Sequence, residues 1–467
     1  MTFRQLALPA FLVANVPVID WYIRRTTDGS DEPLGLLALA AALCFIWRER
    51  RDLALRPWVL FAGACTLVLA QLALLHRAPL MLGALSVFFI ACGVHNRRSA
   101  SGIVLLLLLS LPLLAALDFY AGYPLRLVTA EISTRTLQFI GLDVIRSGVM
   151  LEHHNALVGV DPPCAGVRML WTGLFVAAFF SARQRATLWH TVSLAAVALI
   201  GVVLANAFRA TILFFPESGH VSWPHWTHNA VGLASHACLL VMLLQCDGWL
   251  ARKFPRTRQS TEMPHDRPAL GHSLLRHQFI GGVAAVIALI AGFSIAHVSG
   301  AFSTPSSQRS ERVSGPYTST FTDWPATFDG VPLRRLPLSA REEQFAYSFP
   351  GAIARFQCGD AEIIMRHVTQ ATRRLHSSAD CLRAMGWQIS HQPVFRDADD
   401  RTWGSFLALR SGTRYLVTER ITPSAFTNGD AFTDVSAWYW NALWEPDSGP
   451  WMAVTVMRVA DAPTSPH

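Results

Sequence analysis

Before residue 300 the chain carries a succession of apolar stretches long enough to cross a lipid bilayer: 5–23, 34–47 (short), 57–75, 79–95, 102–120, 164–182, 187–215, 229–250 and 278–298. A span needs roughly 20 apolar residues, with about 17 as the lower limit. Inside lipid every backbone N–H and C=O must be satisfied within the protein, so recurring stretches of this length predict helices. The expectation is an all-α polytopic membrane helix bundle of about nine transmembrane helices. The seventh stretch is long enough to contain a bend. Charged residues make up only 15% of the chain, against about a quarter in soluble domains, and the deficit falls in this region.

The net charge is +7, and Lys253 is the only lysine among the cations. A basic balance can indicate nucleic acid, but here the arginines punctuate the apolar stretches, which is a topology signal. No nucleic-acid partner is expected. Arg-rich connections at 48–56, 97–98, 183–185 and 252–276 belong inside. The connections 76–79, 120–163 and 216–228, and everything after 298, then face out. Arg24 and Arg25 sit on the wrong side, softened by Asp28, Asp31 and Glu32. The first stretch reads as an uncleaved span, with no clear small-residue cleavage site before Trp21-Tyr22.

Residues 300–320 form a Ser/Thr/Pro-rich linker. Beyond it, alternating runs such as Glu362–Met365 and Thr413–Val417, with a turn signal at Asn428-Gly429, predict a small soluble α+β domain. The division is therefore 1–299 for the membrane region, 300–320 for the linker and 321–467 for the second domain. Between spans, 125–150 shows helical spacing broken by Arg126, Arg135 and Arg146, as in a helix lying on the membrane surface. Glu152, His153 and His154 follow in a connection expected to be solvated.

Three segments carry chemistry. The sixth span opens Asp161-Pro162-Pro163-Cys164-Ala165-Gly166-Val167-Arg168. Asp is a good N-cap and Pro suits the first turn, so a helix is expected to start here with Cys164 in its first turn. The positive end of the helix favours a thiolate. Arg168 lies one turn on, and a cation in an apolar span usually has a task. The plainer reading is a packing cysteine with a paired or snorkelling arginine. The seventh span contains Asn206 and Arg209 on one helix face near its outer end. An arginine there suits a substrate carboxylate or an oxyanion, or else a polar contact between helices. His228 opens the eighth span after a loop holding His220 and His225. Imidazole is the usual partner of a thiol nucleophile, although His among Trp residues is also ordinary at a membrane boundary. The three histidines match no strong zinc pattern, and no metal or cofactor is expected. Topology read from hydropathy alone brings Cys164, Arg209 and His228 to one face.

Cys-Ala-Gly-Val-Arg at 164–168, Asn-Ala-Phe-Arg at 206–209 and His-Asn-Ala-Val-Gly at 228–232 resemble the exosortase/archaeosortase family. That family places C-[SA]-G, N-x-x-R and a His followed by Gly on successive transmembrane helices. Ala165 stands where many members have Ser. The resemblance covers roughly 80–250. It implies Cys164 as nucleophile, Arg209 as essential cation and His228 as general acid/base, with Arg168, Asn206 and Asp161 in support. It implies cleavage of exported proteins at C-terminal sorting signals: a short Pro-Glu-Pro-type motif, a transmembrane helix and a basic tail. The setting it implies is the bacterial inner membrane, with the second domain on the periplasmic side, lipid around the helices and exopolysaccharide machinery as a further partner. Two other classes stay open: a non-catalytic membrane component of exopolysaccharide assembly, and a multispan acyltransferase with a His base.

Leu375-His376-Ser377-Ser378-Ala379-Asp380-Cys381-Leu382-Arg383-Ala384-Met385-Gly386-Trp387 is similar to the exosortase-associated domain of exopolysaccharide gene clusters. That domain carries His, then Cys-Leu, then Gly-Trp; a Pro usual after the His region is missing here. His376 and Cys381 read as a second reactive pair, or, as the plainer expectation, as a structural loop or a Cys358–Cys381 disulfide.

Overall fold

The computed structural model describes residues 3–27, 34–51, 53–73, 78–96, 101–154, 156–160, 165–224, 226–253, 321–347, 349–423 and 431–460. The ninth expected span, the linker and the Asn428-Gly429 turn lie outside them. At the other eight expected positions the chain is helical. Helices α1 (Phe3–Ala14) and α2 (Val16–Thr27) are bent by 44° at Asn15. Asn15 is buried there: its amide donates to the Phe11 carbonyl at 2.8 Å, and its oxygen accepts from Ser86. Asp20 pairs with Arg24 at 2.7 Å, which takes up one of the two cations on the unexpected side.

Next come α3 (Leu34–Glu49), β1 (Leu53–Leu55), α4 (Pro57–Leu72), α5 (Pro79–Gly93), β2 (Val94–Asn96) paired with β1, and α6 (Ser101–Leu109). Proline at the first position starts both α4 and α5, where its missing N–H is not needed. The expected fifth span is interrupted: Pro112 cannot continue α6, and α7 (Leu114–Phe139) begins after it. The 125–150 helix ends early as well. Gly141 turns the chain at φ +93, and β3 (Ile145–Ser147), β4 (Met150–His153) and β5 (Ala156–Gly159) form an antiparallel sheet. His153, expected in solvent, is buried, with its Nδ1 donating to the Asp143 carbonyl at 2.6 Å. Then follow α8 (Val167–Gln184), α9 (Leu188–Glu217), which is continuous over 30 residues without the expected bend, and α10 (Thr227–Lys253).

Among the described residues α9 and α10 can each cross a membrane by length and composition; the number is up to four if α1–α2 and α6–α7 each form one span. Many outward side chains on these helices are large and apolar, among them Leu199, Ile200, Leu204 and Phe208 on α9 and Leu233, Val241 and Leu244 on α10. A soluble helix does not expose such a face.

The chain divides into two compact units. One holds the described residues within Met1–Leu113, Leu170–Ile200 and Leu240–Ser310; the other holds those within Leu114–Met169, Gly201–Leu239 and Glu311–His467. In the first, α1, α2, α4 and α5 share a core of Phe11, Val18, Leu60, Leu67 and Leu82. Gly102 of α6 sits so close to α8 that a side chain would collide with the Ala182 backbone, the small-residue contact on which membrane helices rely.

The second unit contains an α+β domain. Strands β6 (Thr327–Phe328) and β7 (Val331–Pro332) form a small hairpin. The main sheet uses β8 (Arg334–Leu336), β9 (Gly351–Cys358), β10 (Ala361–Val368), β11 (Gln388–Arg396), β12 (Thr402–Arg410), β13 (Thr413–Pro423) and β14 (Trp451–Val459). All its pairings are antiparallel, in the order β11-β12-β13-β14-β10-β9-β8. Helices α11 (Ala340–Tyr347), α12 (Ser378–Ala384) and α13 (Val435–Trp444) complete it. One face packs Phe356, Ile363, Met365, Met452 and Val454 against Trp324 and Phe328; the other packs Val368, Trp451 and Ala453 against Trp438 of α13. Buried on both faces, β14 reads as the run Trp451–Val456, apolar except for Thr455.

Helix α13 also docks on α7. Asp434 caps α13 by accepting from Ala437 N at 3.0 Å, and its other oxygen meets Arg126 at 2.6 Å, with only 3% of the Arg126 side chain exposed. Ser436 donates to the Phe119 carbonyl and Trp440 to the Tyr120 carbonyl. Arg126 is thus not a surface cation but half of a buried pair. Asp434→Ala strands that charge and removes the cap, so the full-length protein in detergent should lose at least about 3 kcal/mol of stability, read as a drop in melting temperature. A melting curve identical to that of the parent would contradict the pairing.

Burial holds the imidazoles of His367, His376 and His391 below the ordinary histidine range, helped by Arg366 at His376 and chiefly Arg383 at His391. The unfolded chain takes up more protons than the fold once pH falls through about 6.5. Stability is therefore full above that pH and lost below it. Tryptophan-monitored melting should be lower at about pH 5.5 than at about pH 7.5; equal midpoints would count against it.

Candidate active site

Helix α9 projects Asn206 and Arg209 from one face. Arg209 donates from Nη2 to His228 Nε2 at 3.1 Å, with His228 in the first turn of α10. Because guanidinium only donates, that imidazole nitrogen is the acceptor and the ring proton lies on Nδ1. Nδ1 faces Glu217 Oε1 at 3.8 Å. The α10 backbone at Gly232, one turn on, passes the same guanidinium: a methyl there would lie 3.7 Å from Arg209 Nε. Nε itself is buried with no hydrogen-bond partner among the described residues. A buried donor left over beside an imidazole is a ready place for an anionic oxygen.

Asn206 performs a different task. It is buried, donates to Thr129 Oγ1 of α7 at 3.1 Å, and packs on the backbone of Gly166. Gly166 has φ +77, and a Cβ there would lie 3.2 Å from Asn206 Cγ. Ser133, one turn along α7, donates to the Ala207 carbonyl at 3.0 Å. The segment entering α8 is therefore fixed to α9 one turn from Arg209.

Asp161 and Cys164 lie outside the described residues. Ala165 and Gly166 precede α8, which starts at Val167. The positive φ of Gly166 interrupts the helix that the Asp-Pro-Pro signal suggested. Arg168, the second residue of α8, is exposed, and its charge reaches His391 of β11. The structure thus joins Arg209 to His228 and Asn206 to Gly166. The sequence reading missed Thr129 and Glu217. Glu217 follows Arg209 by two helical turns and Thr129–Ser133 is an i,i+4 hydroxyl pair, so helical spacing held both signals.

His220 also lies here, its Nδ1 sharing a hydrogen with Ser218 Oγ at 2.8 Å and its ring 5.0 Å from that of His153. His225 is outside the described residues. Among the described residues no group of three or more His, Cys, Asp or Glu could hold a metal ion.

Residues 26–245 match the family model described as transmembrane exosortase. This region of the chain belongs to the exosortase family. Comparison with curated proteins found no match, and neither did comparison with solved structures. The match and the apolar helices make this a membrane protein. All of Gly166, Asn206, Arg209 and His228 fall within the exosortase region.

Gly166→Ala forces a left-handed residue with a side chain, costing roughly 1–2 kcal/mol, and crowds Asn206. Removing the crowding with Asn206→Ala should make the double variant less destabilised than the sum of the two singles by at least about 0.5 kcal/mol. Strict additivity in thermal unfolding would show that the two residues do not press on each other.

Proposed function

We propose that the chain is an exosortase-type cysteine transpeptidase that cleaves C-terminal Pro-Glu-Pro-type sorting signals of exported proteins. What supports this reading is the contact between Arg209 and His228, inside a region that belongs to the exosortases. In this proposal nine spans put 1–299 in the bacterial inner membrane. The linker 300–320 and the domain 321–467, of the exosortase-associated type, stand on the periplasmic side. The substrate's C-terminal helix packs in lipid beside the spans carrying Cys164, Arg209 and His228. Exopolysaccharide production supplies the context.

The Cys164 thiolate attacks the peptide carbonyl just outside that helix. Arg209, whose Nε has a free donor direction, takes the developing oxyanion, and His228 protonates the leaving amine. Asn206 is a positioning residue: it fixes the backbone two residues after Cys164 relative to Arg209. Asp161 and Arg168 flank the thiol in sequence and tune it. An acceptor nucleophile then releases the acyl group.

The test is co-expression with an exported protein bearing such a signal, followed by immunoblot. Cys164→Ala should abolish the size shift at unchanged protein level; full processing by that variant ends the proposal. Arg209→Lys keeps a charge but loses the planar fork, and processing should fall by about a hundredfold or more.

A further inference from the structure

In the α+β domain a second thiol faces an imidazole. His376 Nε2 lies 2.7 Å from Cys381 Sγ. His376 Nδ1 lies 2.9 Å from the Arg374 carbonyl oxygen. That oxygen can only accept, so the ring proton is on Nδ1 and Nε2 presents its lone pair to the thiol. This is the order of nucleophile, base and orienting group found where thiols are activated. The expected disulfide is absent: neither Cys358, which is buried, nor Cys381, which is exposed, is in a disulfide.

The segment carrying the imidazole is held by a buried polar network. Glu419 of β13 accepts from Ser377 Oγ at 2.7 Å and from Ser378 N at 2.8 Å. Arg366 of β10 donates to the His376 carbonyl at 3.2 Å and to Thr455 of β14 at 2.7 Å. Phe345 meets the ring edge-on at 5.6 Å. Polar groups buried in this way are costly unless fully paired, and apolar packing would hold a loop as well. The charged groups that face His376 are Arg366 of β10, Asp380 of α12 and Glu419 of β13. Burial and Arg366 outweigh the two acids, so the ring stays neutral and able to accept a proton.

We infer that Cys381 and His376 form a second nucleophilic site, one that takes an acyl group from an ester or thioester. The Cys381 proton passes to His376 Nε2 as the Sγ–carbon bond forms at the carbonyl. The bond to the alkoxide or thiolate leaving group breaks, and that group recovers the proton from His376. Water or another nucleophile then attacks the S-acyl cysteine, releases the acyl group and restores the thiol. The donor class follows from the orienting group. A backbone carbonyl, unlike a carboxylate, adds no charge to stabilise an imidazolium, and Arg366 opposes one. Such a base suits oxygen and sulfur leaving groups, which depart with less protonation than an amide nitrogen requires. The site is thus distinct in chemistry from the proposed peptide cleavage at Cys164.

The test uses the full-length chain in detergent, in a Cys164→Ala background so that failure of the peptide-cleaving proposal leaves it untouched. The probe is p-nitrophenyl acetate, with acetylation of each cysteine read by peptide mass spectrometry. Cys381 should acetylate about a hundredfold faster than after His376→Gln, and its rate should hold level to about pH 6.5, below the ordinary thiol range. A rate equal to that of N-acetylcysteine across pH, or one unchanged by His376→Gln, overturns the inference. Should His376→Gln unfold, the pH–rate profile of the parent decides alone: a level limb supports the site, and a profile that tracks ordinary thiol ionisation overturns it.

Discussion

A guanidinium near the C-terminal end of an apolar helix must be met by partners that can take its hydrogens. In this chain Arg209 meets His228 at 3.1 Å, and the local arrangement follows from that. The contact requires α9 and α10 to approach closely, and Gly232 leaves no side chain in between. It fixes the imidazole tautomer by occupying Nε2. One turn back, Asn206 joins α9 to α7 through Thr129 and to the entry of α8 through Gly166. Two hydrogen bonds and one close packing contact thus align backbone segments that apolar packing alone would leave free to slide, since lipid supplies no hydrophobic drive between helices.

The α+β domain uses the same device in water. Arg126 and Asp434 join α7 to α13 where few waters reach, and Arg366, Glu419 and Thr455 tie three neighbouring strands to the segment before α12. In both places a buried charge specifies one arrangement, because any other leaves it unpaired.

Much of this was legible in the residues. Apolar length located the helices, the change of composition after residue 320 located the second fold, and the i,i+3 spacing of Asn206 and Arg209 put them on one face. What escaped was non-local. Nothing near Arg126 announces that Asp434, far along the chain, will bury it, so helical spacing alone suggested a surface helix. Pro112 ends α6 inside a stretch that hydropathy reads as continuous. The Asp-Pro-Pro signal pointed to a helix start at 161, but the left-handed Gly166 delays it to Val167. His376 and Cys381 were visible as a pair in sequence; their distance and tautomer depend on the Arg374 carbonyl, which no side-chain pattern encodes.

The sheet has a peculiarity of assembly. Its seventh strand in chain order, β14, is not at an edge but between β13 and β10. Until Trp451–Val459 leaves the ribosome, the two halves of the sheet have no common seam. Thr455, which accepts from Arg366, donates to Glu419 and shares a hydrogen with Ser378, is missing as well. The network that holds His376 beside Cys381 is therefore incomplete in a nascent chain and closes only when synthesis of this strand is complete.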